Sequence, residues 1–322
     1  MDEQIGTLMQ ELTALNDQVR VGDVYQSLST RLGKLMDDVH RHRRTAVTLP
    51  DDDDGVAVIL TGMRHQLEEN VPVTLTGEKL DLLLAHLSST DPKVRYEGIN
   101  FTVYDALQQD AFDSNQMHVL LESLQNPDGL FSHILEPANV GVFGRAARVA
   151  MLAAILHFVP ADSYGEQELR HTVLLAATYI CLEIDTRGFV NQQGWAHAFS
   201  AATDLLAVLA GNESLPRADK LFLMMTLLER VKRLNTPLIY GENDRMATYF
   251  VELVNRHPLY EEAFLLSLKQ WRQRVAMHRR PDTIAGWNRF FNRKRLLDAL
   301  RLHGDLPKSI RDYLNSSIDF LG

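Results

Sequence analysis

The chain has 322 residues, 45% of them hydrophobic and 23% charged, the balance of a soluble globular protein long enough for one large or two ordinary domains. A net charge of −9 argues against nucleic-acid binding by the surface as a whole and leaves room only for a local basic patch. The one cysteine, Cys181, has no partner for an internal disulfide, which fits a reducing cytoplasm.

In chain order, the opening MDEQIGTLMQEL is acidic and amphipathic, unlike a signal peptide. Ile5, Leu8, Leu12, Leu15 and Val19 repeat at helical spacing, and so do Val24, Leu28, Leu32, Leu35 and Val39. The second helix is expected to end in His40-Arg41-His42-Arg43-Arg44, a cationic last turn. Leu49-Pro50 and Asp51–Asp54 then mark a linker or a helix start. The four acids lack the alternating pattern of a calcium loop. Residues 1–50 therefore read as a helical hairpin that caps the body or packs on a partner, and 51–322 as the body.

Helices are expected at Val56–Leu67, Leu80–Leu87, from Asp91-Pro92-Lys93-Val94-Arg95 to Leu107, and at Met117–Leu124. Pro92 sits where a first helical turn has no use for its missing N–H. Phe143–Phe158, Leu169–Leu182, Trp195–Leu209, Lys220–Leu234, Arg245–Val254, Tyr260–Met277, Ile284–Leu302 and Ile310–Phe320 follow. The longest apolar run, around Ala146–Val159, carries Arg148 and His157 and falls short of a bilayer span. No strand hairpin signal is present.

Polar residues concentrate in two stretches. In Asp185–Leu209 a loop arginine, Arg187, precedes Trp195, His197 and Asp204. Placed on one helix, His197 and Asp204 share a face away from the centre of the apolar stripe. In Tyr240–Arg245, Glu242, Asp244 and Arg245 stand at a helix start. Each stretch has a plain reading: Trp195 as packing, Glu242 and Asp244 as helix-capping acids. The functional reading lets them face each other across a groove, where three carboxylates and a histidine could hold a divalent metal or move a proton. Arg145 and Arg148 share a face of an apolar helix. They are expected to pair with Asp185, Asp204 or Glu242, or to clamp a small anionic ligand together with Arg187.

The C-terminal third interleaves Arg272, Arg274, Arg279, Arg280, Arg289, Arg293, Lys294, Arg295 and Arg301 with Trp271, Trp287, Phe290 and Phe291. Core aromatics with acid-paired arginines explain this better than nucleic-acid binding does. Cys181 lacks a nearby positive partner, and no nucleophile elbow, Walker loop or dinucleotide fingerprint occurs.

Helix pairs recur every 40–45 residues or so, the period of HEAT-like solenoids, and Asp91–Arg95 resembles the turn within such a repeat. The blocks DPKVRYEGINFTV (91–103), VFGRAARVAMLAA (142–154), Asp185–Leu206 and YGENDRMA (240–247), with NRFFNRKRLLDAL (288–300), resemble the bacterial family called domain of unknown function 2785 over roughly residues 75–320. Gly194-Trp195-Ala196-His197 followed by Asp204-Leu205-Leu206 is the most specific part. The resemblance implies an all-helical, HEAT-like fold and brings no activity, cofactor or catalytic residue.

The expectation is thus an all-α solenoid of stacked antiparallel helix pairs, cytoplasmic, binding a protein or small anion in a polar inner groove. Arg145, Arg187, Trp195, His197, Asp204, Glu242, Asp244 and Arg245 would line that groove. The alternative is a metal-dependent or acid–base hydrolase in the same groove. Homodimerisation through the N-terminal hairpin is a further possibility, and no cofactor or catalytic residue is assigned.

Overall fold

Apolar residues at helical spacing, broken by proline and by polar turns, produce an all-α chain. A computed structural model describes residues 2–159, 165–277 and 281–316. It contains fifteen α-helices and, among the described residues, one two-stranded ladder.

The chain divides into two compact units built from interleaved stretches. The first comprises residues 40–172 and 185–208, and the second comprises 2–39, 173–184 and 209 onward.

In the second unit, α1 (Glu3–Arg20) and α2 (Leu28–Asp37) pack on α11 (Arg217–Val231). The contact buries Leu8, Leu12, Leu28 and Leu32. Asn16 and Arg20 of α1 both donate to the buried carboxylate of Asp219, at 2.9 Å and 2.6 Å. The N-terminal hairpin is therefore covered by its own chain. In the same unit α12 (Glu242–Arg256) packs on α13 (Pro258–Met277) and α14 (Ile284–His303), and α15 (Lys308–Ser316) leans on the last two. The expected end of the final helix at Phe320 lies outside the described residues.

The sequence expectation for residues 40–44 is corrected here. The helix stops at Asp37, and the basic run leaves it as extended chain in the first unit. There Arg41 donates to the carbonyl of Ile134 at 2.9 Å, and the His42 amide donates to Leu135 at 2.8 Å. These donors serve a neighbouring backbone rather than a helix C-terminus.

The first unit continues with α3 (Val56–Glu68), α4 (Gly77–His86) and a π-helical stretch, Lys93–Asn100, that runs into α5 (Phe101–Gln108). Next come α6 (Ser114–Leu124), opened by an Asp113/Gln116 capping box, and a single turn, α7 (Pro127–Leu130). The central helix is α8 (Gly141–Phe158), with α5, α6 and α7 packed around it. It is long and apolar enough to cross a bilayer, at 18 residues with mean hydropathy 1.3, but 72% of it is buried inside the protein. The last two helices, α9 (Glu166–Leu182) and α10 (Ala198–Gly211), each span the boundary between the two sets of residues.

Candidate functional site

The segment between α9 and α10 departs from expectation. Trp195 is not on a helix: β1 (Phe189–Val190) pairs antiparallel with β2 (Gly194–Trp195), joined by a tight turn. Gln192 and Gly194 hold φ of +66° and +74°, which lets so short a ladder close. A side chain at Gly194 would meet Pro92, with only 2.9 Å from its Cβ to the proline Cβ.

His197 lies one residue before α10 with φ +53°, and its carbonyl accepts the Ala201 amide. The shared helical face proposed for His197 and Asp204 therefore does not form. Asp204 is on α10 and exposed. The Trp195 ring, 40% exposed, meets Phe189 edge-on at 5.1 Å and lies 4.2 Å from the His197 ring.

Four arginines brace this region and the helices beside it. Arg95 is buried and donates to the carbonyls of Ser89, Gln193 and Trp195, with its guanidinium 4.3 Å from the Phe143 ring centroid. Burial pushes its pKa down to about 10 against the pull of Asp91. Arg187 chelates Asp185 at 2.6 Å and donates to the Asn139 carbonyl at 2.6 Å. Arg145 donates to the Ser132 carbonyl at 2.7 Å. Arg148 spans the carbonyls of Ser123 and Leu84, at 3.2 Å and 3.3 Å. Arg148, expected to meet a carboxylate, instead donates to carbonyls near the C-terminal ends of α6 and α4, where one guanidinium serves two acceptors.

The other three candidates belong to the second unit. Glu242 is buried, and its carboxylate accepts the Tyr240 amide at 2.8 Å across Gly241, whose φ is +88°. The bond closes the turn that precedes α12, whose N-terminus has no side-chain cap. Asp244 and Arg245 are exposed in the first turn of α12. Among the described residues no three histidine, cysteine, aspartate or glutamate side chains gather as a metal set.

A polar centre that sequence reasoning missed lies around Glu229 on α11. Its carboxylate receives Ser29 and Lys232, Arg233 at 2.6 Å, and Arg274 at 3.6 Å. Lys232 also donates to Ser267 at 2.6 Å. Burial opposes the charge on both partners. It pushes Lys232 down to about 8 despite Glu229, whereas the surrounding donors hold Glu229 below the usual carboxylate range. The Cys181 thiol is buried and pushed up to about 12, far from a reactive thiolate.

In the basic C-terminal third, Arg293 is buried beside the Trp271 ring at 5.7 Å, and Lys294 and Arg301 pair with Asp298 at 2.8 Å and 3.1 Å. Arg289 donates to the Asn235 side chain. Arg279 and Arg280 lie outside the described residues.

Two open spaces of the first unit lie beside α5. On one side is a cavity of about 310 Å³ whose walls include Leu107, Phe112, Met117, Leu121 and Phe158. On the other side is an apolar cleft of about 260 Å³ lined by Phe101, Tyr104, Met151 and Ala154. Leu107 borders both, and Tyr104 packs edge-on against Phe158 at 5.2 Å. The first volume is at the lower end of the range for small-molecule pockets. These residues carry no motif. Apart from Phe112, which lies between α5 and α6, each reads as an ordinary apolar helix position, and only tertiary packing leaves the gap.

An all-α protein with arginine-braced loops is the class that these features define. The chain belongs to the family described as protein of unknown function, DUF2785, which matches residues 130–302. No curated protein and no solved structure matches it.

Proposed function

We propose that this protein is a binding protein that takes a small organic molecule in the cavity between α5, α6 and α8. The observation that carries this reading is the contrast in saturation. The candidate loop arginines and Glu242 are committed to internal backbone and carboxylate partners. The cavity combines apolar walls, Phe112 and Phe158 among them, with a few polar groups at its edge, the composition of a ligand pocket.

The test uses tryptophol, a neutral indole alcohol small enough for the volume, titrated calorimetrically into the protein and into Met117→Trp. Met117 is half-buried at the wall, so a larger side chain fills the space without entering the core. The expected result is saturable binding to the unmodified chain and its loss in the variant, with an unchanged melting temperature. Equal binding by both proteins, or by neither, overturns the proposal.

A further inference from the structure

The cavity's charge is one-sided. Among the described residues, Asp110, Glu168 and His118 contribute its ionisable lining, and no lysine or arginine lines it. Glu168, in the first turn of α9, lies 3.7 Å from the His118 ring, and that is its only charged contact among the described residues. The Asp110 carboxylate, on a solvent-exposed residue of the lining, has no hydrogen-bond or ion-pair partner among them.

The backbone holds Asp110 there against local preference. Asp110 ends α5 with φ +53°, the left-handed conformation that glycine adopts most cheaply. The Asp110 amide donates to Leu107, and the Ala111 amide donates to Ala106 at 2.9 Å. These bonds close the helix and set the carboxylate on the cavity edge. Aspartate tolerates this conformation better than most residues, though less well than glycine.

Below the carboxylates the wall is apolar and aromatic. An aromatic ring attracts a cation through its electron-rich face, and a carboxylate attracts it by charge. An anion meets repulsion at both, and a neutral molecule gains only from apolar burial.

We infer that the ligand of this cavity is an organic cation: an ammonium group that sits at Asp110 and Glu168 on an apolar or aromatic body that fills the space against Leu107, Phe112 and Phe158. The inference rests on the binding function proposed above and specifies its ligand class. The ammonium is recognised by the two carboxylates, and the body by the walls.

Three probes of nearly equal shape test it at neutral pH: tryptamine, tryptophol and indole-3-acetate, which are cationic, neutral and anionic. Calorimetric titration is expected to give tryptamine at least about tenfold tighter binding than tryptophol, with indole-3-acetate weakest. Asp110→Asn with Glu168→Gln is expected to bring tryptamine to the tryptophol level and leave tryptophol unchanged. Asp110→Gly is the folding control, because glycine suits φ +53° while removing the carboxylate. It is expected to weaken tryptamine several-fold in a protein at least as stable. If tryptophol binds and tryptamine is no tighter, the cation inference fails and the binding function stands. If none of the three binds, the binding function itself fails. A tryptamine preference that survives the double substitution also overturns the inference.

Discussion

The first unit contains two regions with opposite economies. Around the short ladder, Arg95, Arg145 and Arg187 are charged, buried or half-buried, and fully engaged with carbonyls and with Asp185. Around α5 the side chains are mostly apolar, yet they leave about 310 Å³ of open space and a carboxylate without a partner. On the reading proposed above, polar concentration alone does not mark the binding site. Irregular backbone needs donors, and guanidinium groups supply them. On that reading, the site is marked by open volume with accessible carboxylates at its edge.

The largest effects are expected from removing a charged hub, first the Glu229 centre of the second unit and then Arg95 beside the ladder. Glu229→Ala leaves Lys232 buried without its carboxylate, while the half-buried Arg233 keeps Asp37. Urea denaturation is expected to show a loss of about 3–5 kcal/mol. Arg95→Ala strips donors from carbonyls on both sides of the ladder and is expected to cost about 3 kcal/mol. Arg95→Lys is expected to recover little, because an ammonium cannot span the same fork. If either alanine variant is as stable as the parent, the guanidinium and carboxylate hubs are ornamental and the contrast collapses.

A smaller effect follows from pH. Lys232 holds its proton less tightly in the folded chain, at about 8, than its ordinary 10.5. Between those values the unfolded chain binds more protons, so Lys232 makes stability rise with pH from about 8 toward 10.5. Lys232→Met is expected to flatten that rise in chemical denaturation at pH 8 and 9.5. An unchanged slope shows that Lys232 titrates normally. Gly194→Ala, strained by φ +74° and by Pro92, is expected to cost about 1–2 kcal/mol by thermal melting. At the small end, Asp204→Ala and Asp244→Ala, both exposed, are expected to stay within about 0.5 kcal/mol of the parent.

The helical architecture was legible because its signal is periodic: Ile5 to Val19 forecast α1, and Phe143 to Phe158 forecast all but the first two residues of α8. The ladder was not legible. Trp195, Ala198, Ala202 and Leu205 sit at helical spacing, and nothing local says that Gln192, Gly194 and His197 adopt positive φ. Residues 40–44 failed for a related reason, since their partners are carbonyls of Ile134 and Leu135, remote in sequence. The Glu229 centre draws on Ser29, Lys232, Ser267 and Arg274, a set that no linear motif encodes. The α5 cavity is invisible at the sequence level because packing, not residue type, creates it. Asp110 is the one residue that offered a hint, as an acid at the end of an apolar helix where glycine is usual.

The most direct test of the binding account is methyl NMR. With the methionine methyls labelled, Met117 reports on the first cavity and Met151 on the apolar cleft across α5. Titration with tryptamine is predicted to shift the Met117 resonance, assigned with Met117→Leu, and to leave the core methionines Met224 and Met225 in place. A titration that moves none of these signals, or moves the others and spares Met117, contradicts the account.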